Sequence, residues 1–372
     1  MIYLDNAATS MPKPSSVYHA VSDAMLNCAS LGRSGHKPAQ NASKVAYQCR
    51  EAAADLFDAA PEQVVFTSNA THGLNIAIKT LVHPGDEVIV SGFEHNAVIR
   101  PLVHLGAKIL VAGQNLFSPD DVIQDLDHLI SPKTKAVICT HVSNVFGYIL
   151  PIEKIAAICK IHRIPLIVDA AQSAGILPIS MKQLSASFIA MPGHKGLMGP
   201  QGTGLLLCGM KPETIMEGGT GSRSRSYEMP DFLPDCAEAG THNIPGIAGL
   251  LAGISFIQKI GLEKIQSHEK TLIDLAASRL ERLSNIHVFH DSVGSYQTGV
   301  LSFQILKGDC ELFAQTMANL GYAVRAGLHC APLAHESAGT LETGTVRISV
   351  STFNLEEELA SFVQDATEVL TS

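Results

Sequence analysis

The sequence predicts an α/β protein: a large domain on a mostly parallel mixed sheet covered by helices, then a smaller α+β domain at the C-terminus. Three observations carry this. Between about residues 61 and 208, short β-branched runs alternate with helical patterns, and such alternation implies parallel strands with helices on both faces. From residue 288 onward the pattern changes to hairpin-like strands and separate helices. The length of 372 residues suits two or three domains at roughly 150 residues each. The expected division is an N-terminal segment at 1–15 packing at the functional site, a large domain at 16–255 and a small domain at 256–372.

Taken in order, the strand candidates of the large domain are 63–67, 87–91, 108–112, 136–140, 166–169, 188–190 and 204–208. Continuous apolar runs of this kind are how strands buried on both faces read. Stretches 118–130 and 152–162 carry apolar residues at helical spacing between them. Residues 218–226 are rich in Gly and Ser without a period, which predicts a mobile loop. A long helical pattern spans 245–283, broken near Gly261. In the small domain, 299–305 and 346–351 predict strands, and 311–320 and 355–370 predict helices.

Composition narrows the function classes. The formal net charge is −9 with no Lys/Arg run, so neither nucleic acid nor an anionic membrane surface is an expected partner. The opening MIYLDNAATS has no basic start and no apolar core, unlike a signal peptide. The longest uncharged apolar stretch, 244–257, is too short to span a bilayer and contains Pro245 and Gly246. The eight cysteines are scattered without a CxxC pair, which predicts reduced thiols and a cytoplasmic setting. No metal site is expected.

In open α/β sheets, ligands bind beyond the carboxyl ends of the parallel strands, and polar residues gather there in this chain. Strand 63–67 runs into Ser68-Asn69-Ala70-Thr71-His72-Gly73 and then a helical pattern. Small residues before a helix N-terminus can cradle a phosphate, although the same residues serve equally as a plain cap. The next strand ends in Phe93-Glu94-His95-Asn96; alone, such a His is more often a loop residue without a role. Strand 136–140 ends in His141-Val142-Ser143-Asn144, and 166–169 in Asp169-Ala170-Ala171-Gln172. A half-buried carboxylate at Asp169 is costly without a cation or several donors.

The most specific stretch is Met191-Pro192-Gly193-His194-Lys195-Gly196, followed by Gly199-Pro200-Gln201-Gly202-Thr203-Gly204. It lacks the Gly-Lys-Ser/Thr of a nucleotide-binding P-loop, and its glycines precede a strand rather than a helix. What remains is a lysine on a tight loop after a buried strand, where losing its proton costs less and Schiff-base chemistry is favoured. A solvated loop lysine is the plainer reading of Gly-His-Lys-Gly alone. The buried Asp and the phosphate-type loop on the same sheet edge outweigh it. Together these groups match the needs of pyridoxal 5′-phosphate (PLP): Lys195 for the aldehyde, Asp169 for the ring nitrogen, and Thr71 with neighbouring amides for the phosphate.

With those residues in view, the chain resembles the class V aminotransferase-fold enzymes, and within them the cysteine desulfurases and selenocysteine lyases. The resemblance runs nearly end to end and implies a type I PLP-dependent transferase fold. Tyr3-Leu4-Asp5-Asn6-Ala7-Ala8-Thr9 is similar to the family's opening segment, placing Asn6 at the substrate. Glu94-His95-Asn96-Ala97 resembles its ring-stacking histidine motif, so His95 is expected on the cofactor ring and in catalysis. His141-Val142-Ser143-Asn144 resembles the asparagine motif, with Asn144 at the substrate carboxylate. Gln172 is implied at the phenolic oxygen, and His194 and Thr71 at the phosphate. Glu238-Ala239-Gly240-Thr241 is similar to the segment that reaches the partner subunit's phosphate, which assigns Thr241 to cofactor binding and implies a homodimer.

Val324-Arg325-Ala326-Gly327-Leu328-His329-Cys330-Ala331-Pro332 is similar to the short-loop desulfurase subgroup, whose nucleophilic cysteine occupies the position of Cys330. Thr345-Val346-Arg347-Ile348-Ser349 resembles the segment whose arginine binds the substrate carboxylate, a task suited to a planar guanidinium. Arg325, His329 and Arg347 near Cys330 favour thiolate over a merely structural thiol. The implied activity converts L-cysteine to L-alanine, leaving a persulfide on Cys330 for an acceptor, with a short loop implying an acceptor protein. Pro192 departs from the Ser that many desulfurases carry there, removing one phosphate contact; Thr220, Ser222 and the amides of 218–221 are the candidate replacements. Rival readings are selenocysteine lyase, a C–S lyase or transaminase on the same fold, and a scaffold that kept the fold without chemistry.

Overall fold

The computed structural model describes residues 1–32, 34–292 and 294–371. The chain opens with β1 (Ile2–Tyr3), α1 (Ser15–Asn27) and α2 (Lys37–Phe57). Strand–helix alternation follows: β2 (Val64–Thr67), α3 (Ala70–Leu81), β3 (Glu87–Ser91), α4 (Asn96–His104), β4 (Lys108–Ala112) and α5 (Pro119–Leu129). It continues through β5 (Thr134–Thr140), α6 (Ile152–His162), β6 (Leu166–Asp169), α7 (Met181–Leu184), β7 (Phe188–Pro192) and β8 (Gly204–Cys208). Two long helices, α8 (Ile244–Ile260) and α9 (Leu262–Leu280), lead into β9 (Ile286–Phe289), β10 (Val300–Ile305) and α10 (Cys310–Asn319). The chain ends with β11 (Tyr322–Ala323), β12 (Arg325–Gly327), α11 (Pro332–Ser337), β13 (Thr345–Ser349) and α12 (Glu356–Thr371).

The large sheet has the order β2-β8-β7-β6-β5-β3-β4. Its strands are parallel except β8, which runs antiparallel to both neighbours. Side chains alternate between two cores, as the pleat requires. Leu166 and Val168 of β6 join the cluster under α2, α6 and α8, whereas Ile167 joins the one under α3 and α4. With both faces covered, every residue of β2, β3, β6, β7 and β8 is buried. This is the α/β architecture the sequence predicts. The strand of 188–190 runs on to Pro192, and the break expected near Gly261 separates α8 from α9.

The antiparallel sheet β12-β13-β10-β9 packs with α9, α10 and α12 around a separate core that also contains Leu4. Leu4 belongs there because β1 pairs with β11. The first residues therefore pack with the C-terminal part of the chain before crossing to the large sheet. Among the described residues no single helix is long and apolar enough to cross a membrane, and α8 with α9 reaches that length only as a pair bent by 82°.

Candidate active site

The carboxyl ends of β2, β3, β5, β6 and β7 open onto one cleft. Its lining includes Thr71, His95, Asn144, Asp169, Gln172, Pro192, His194 and Lys195. Its volume of ≈ 510 Å³, counted to its open mouth, lies in the range of small-molecule sites, roughly 300–1,000 Å³. Each residue arrives there for a local reason. Asp169 is the last residue of β6 and is 2% exposed. His95 is the N-cap of α4, its Nδ1 accepting from the Ala97 N–H at 3.0 Å; a neutral ring so bound carries its proton on Nε2. Thr71 sits in the first turn of α3, after the Asn69 cap, where backbone N–H groups have no helical acceptor.

The Lys195 loop is held tightly. A Cβ at Gly193 would collide with the Thr203 side chain, so the loop can press this close only with glycine there. From the other side the N-terminal segment grips its carbonyls. The His194 carbonyl accepts from Ser10 N at 3.1 Å, Thr9 Oγ1 at 3.2 Å and Lys13 Nζ at 2.7 Å. The Lys195 carbonyl accepts from Ser10 Oγ at 2.9 Å.

Burial lowers the Lys195 pKa to about 8, partly opposed by the Asp169 carboxylate. Burial raises Asp169 to about 6, opposed by the Ala171 amide and by Lys195. That amide, at 2.9 Å, is the single hydrogen-bond donor to the Asp169 carboxylate among the described residues. Burial, with Lys195 next, lowers His95 and His194 to about 4 each. Glu94, fully buried, is pushed up to about 8 by burial, opposed by its bonds from Ser91 and the Thr140 amide. A lysine that gives up its proton more readily than a solvated one, a buried carboxylate with lone pairs to spare and a helix N-terminus on one cleft fit PLP: aldehyde, ring nitrogen and phosphate each have a partner of the right chemistry.

Cys330 is exposed, whereas the other cysteines are buried or half-buried. It lines a groove that adjoins the cleft and shares Thr71, His95 and Ala97 with it. It stands on a tight turn: His329 and Cys330 both adopt left-handed backbone, φ 50° and 58°, costly for residues with a Cβ. Two bonds to the large domain hold the turn, from Asn144 Nδ2 to the His329 carbonyl at 2.8 Å and from the Asn96 N–H to the Cys330 carbonyl at 2.8 Å. Burial keeps His329 neutral.

Besides Cys330, four expected site residues lie outside the cleft lining. Arg347, 2% exposed on β13, donates through Nη2 to Asp5 Oδ1 at 2.7 Å and through Nη1 to the Asn144 carbonyl at 2.9 Å, leaving Nε without a partner. Arg325 sits directly across from it on β12 and is exposed. Asn6 spends its side chain on Ser349, Asn354 and Met11, in a second cavity that reaches Gln172 and Lys195. Thr241 lines a third cavity with His72, Glu238 and His242. The candidate replacements for the phosphate contact at Pro192 are not on the cleft: Thr220 Oγ1 and Ser222 Oγ bond each other at 3.0 Å. The sequence reading missed Asp5, Ser10 and Lys13, whose partners lie far along the chain.

Residues 2–362 match the Aminotransferase class-V family, and the chain belongs to that family, whose cofactor is PLP. It is 32% identical to a probable cysteine desulfurase of Pyrococcus abyssi, covering 100% of this chain and 95% of that one. It is 31% identical to a cysteine desulfurase of Haloferax volcanii, covering 98% and 88%. Among solved structures it is similar to the apo cysteine desulfurase of Thermococcus onnurineus, at a TM-score of 0.91 and 31% identity, covering 100% of this chain and 94% of that one.

Proposed function

We propose that this chain is a PLP-dependent cysteine desulfurase that converts L-cysteine to L-alanine and takes the sulfur onto Cys330. The observation that carries the reading is an exposed cysteine in a groove that adjoins a cleft holding a half-buried lysine and a buried aspartate. When bound, PLP supplies an electron sink that makes the substrate Cα proton acidic. Lys195 is the residue to hold its aldehyde, Asp169 its ring nitrogen, Gln172 its phenolic oxygen, and Thr71 and His194 its phosphate, with His95 covering the ring. Lys195, down at about 8, is suited to take the Cα proton near neutral pH.

Cys330 thiolate attacks the substrate sulfur. The new S–S bond forms as the Cβ–S bond breaks; the bonding pair stays with the carbon skeleton, which takes up a proton to become alanine. No outside oxidant enters. Asn144, Arg325 and the Nε edge of Arg347 are the groups for the substrate carboxylate, with Asn6 behind them. The same reading makes the protein a cytoplasmic homodimer with Thr241 at the partner's cofactor, a domain division at residues 1–15, 16–255 and 256–372, and an acceptor that collects the sulfur.

Product analysis tests this directly. Supplied with cysteine and a reductant, the holoenzyme should release alanine and sulfide in equal amounts. A Cys330→Ala protein that still releases both at the normal rate refutes the nucleophile. Hydride reduction followed by peptide mapping should find a pyridoxyl group on Lys195, and its absence there refutes the cofactor assignment. Selenocysteine supplied alongside separates the lyase reading, in which Cys330→Ala keeps its activity.

A further inference from the structure

The groove at Cys330 runs between α3 and α4. Thr71, Asn75 and Lys79 face it from α3, and Asn96, Arg100 and His104 from α4. Both sets are spaced four residues apart, so each forms one stripe along its helix. Eight residues of helix rise about 12 Å, so the groove extends that far from the cofactor cleft and Cys330. Arg100 and His104 are exposed and Lys79 is half-buried. No carboxylate lines this groove, although the chain as a whole carries −9. Among the described residues neither Lys79 nor Arg100 has an ion-pair partner. An acidic protein thus keeps two unpaired cations and a histidine beside its exposed thiol.

We propose that this groove binds a small anionic thiol as a direct sulfur acceptor: one carrying carboxylates a turn or two of helix from its sulfur, of the size and charge of glutathione. The proposal rests on the desulfurase reading, because the sulfur to be accepted is the persulfide on Cys330. Lys79 and Arg100 hold the carboxylates and the acceptor sulfur lies at Cys330. The acceptor thiol loses its proton and attacks the outer sulfur of the persulfide. A new S–S bond forms, the bond to Cys330 breaks, and Cys330 leaves as thiolate, with no net oxidation or reduction.

The test follows alanine formation from cysteine by the holoenzyme with three acceptors: glutathione, its diethyl ester and 2-mercaptoethanol, each rate normalised to thiolate concentration. Glutathione should exceed its ester on the order of tenfold, which two surface ion pairs can supply together, and the margin should shrink in 0.5 M salt, where screening is short-ranged. In Lys79→Gln/Arg100→Gln the glutathione-to-ester ratio should fall to near one. Equal rates for glutathione and its ester in the native protein overturn the proposal, as does a preference that survives in the variant. A variant that raises the KM for cysteine and leaves the ratio intact overturns it too, since the cations would then steer the substrate. Absence of alanine with all three thiols refutes the desulfurase reading itself, a different failure.

Discussion

Replacing Asp5 by Asn removes one charge of the Asp5–Arg347 pair and keeps an acceptor oxygen in place. At 2.7 Å the Coulomb attraction is about 6 kcal/mol at an effective dielectric of 20. The Arg347 side chain is 2% exposed and that of Asp5 20%, so solvent screens the acid end, and the retained oxygen still accepts from the guanidinium. The net loss expected is about 2–3 kcal/mol, most of it from leaving a buried guanidinium without its counter-charge. The loss falls on the β1 segment, because Asp5 and Asn6 tie it to Ser349. The assay is urea unfolding at fixed protein concentration. With m above about 3 kcal/mol/M for a chain of this size, the midpoint should drop by roughly 0.5–1 M. Asp5→Asn combined with Arg347→Met should lose less than the two single changes added together, since no bare charge remains. A midpoint within about 0.1 M of the native protein, or strict additivity, refutes the reasoning.

Two further changes probe the cavity behind the Lys195 loop. Glu269 is 4% exposed, and burial raises its pKa from 4.5 to about 8. The folded protein therefore keeps a proton that the unfolded chain has lost, so this group lowers stability progressively as pH rises from about 4.5 to 8. Glu269→Gln should stabilise the protein more at pH 8 than at pH 5, by no more than about 4 kcal/mol read from urea unfolding; an unchanged difference between the two pH values refutes this. Gly299 faces the same carboxyl, and a Cβ there would lie 2.6 Å from Glu269 Oε2 and 2.9 Å from its Cβ. Gly299→Ala should cost about 1–3 kcal/mol by overpacking, and Glu269→Ala should recover part of that in the double variant; additive losses in thermal unfolding would count against the contact.

Most strands of the large sheet were legible because burial on both faces leaves a largely apolar run, and 87–91, 166–169 and 204–208 match the observed bounds, as does 108–112 on the less buried edge strand. Strand direction has no such signature, so the reversed sense of β8 is a product of the chain's path alone. Helix α2 escaped for a different reason. Its buried face is mainly Ala39, Ala42, Ala46, Ala53 and Ala54, which gives little contrast with the polar side. Strands of two or three residues, such as β1, β11 and β12, are too short to show any period.

Legibility of the site divides along the same line between local and distant. Thr71, His95, Asn144, Asp169 and Lys195 were readable because each stands at a strand end, where the fold rule says chemistry gathers. The residues that hold them were not. Lys13 reaches the His194 carbonyl across 181 positions and Asp5 reaches Arg347 across 342. Read locally, Asp5 and Lys13 are polar residues near a chain end, indistinguishable from solvated ones. Sequence thus reveals what a side chain can do and conceals which partner already occupies it. Arg347 reads as an open clamp for a substrate carboxylate, yet in the fold two of its three nitrogens are engaged and its counter-ion is in place. Any substrate carboxylate bound there must use the remaining Nε edge or displace Asp5, so the first residues of the chain compete directly with substrate for the arginine.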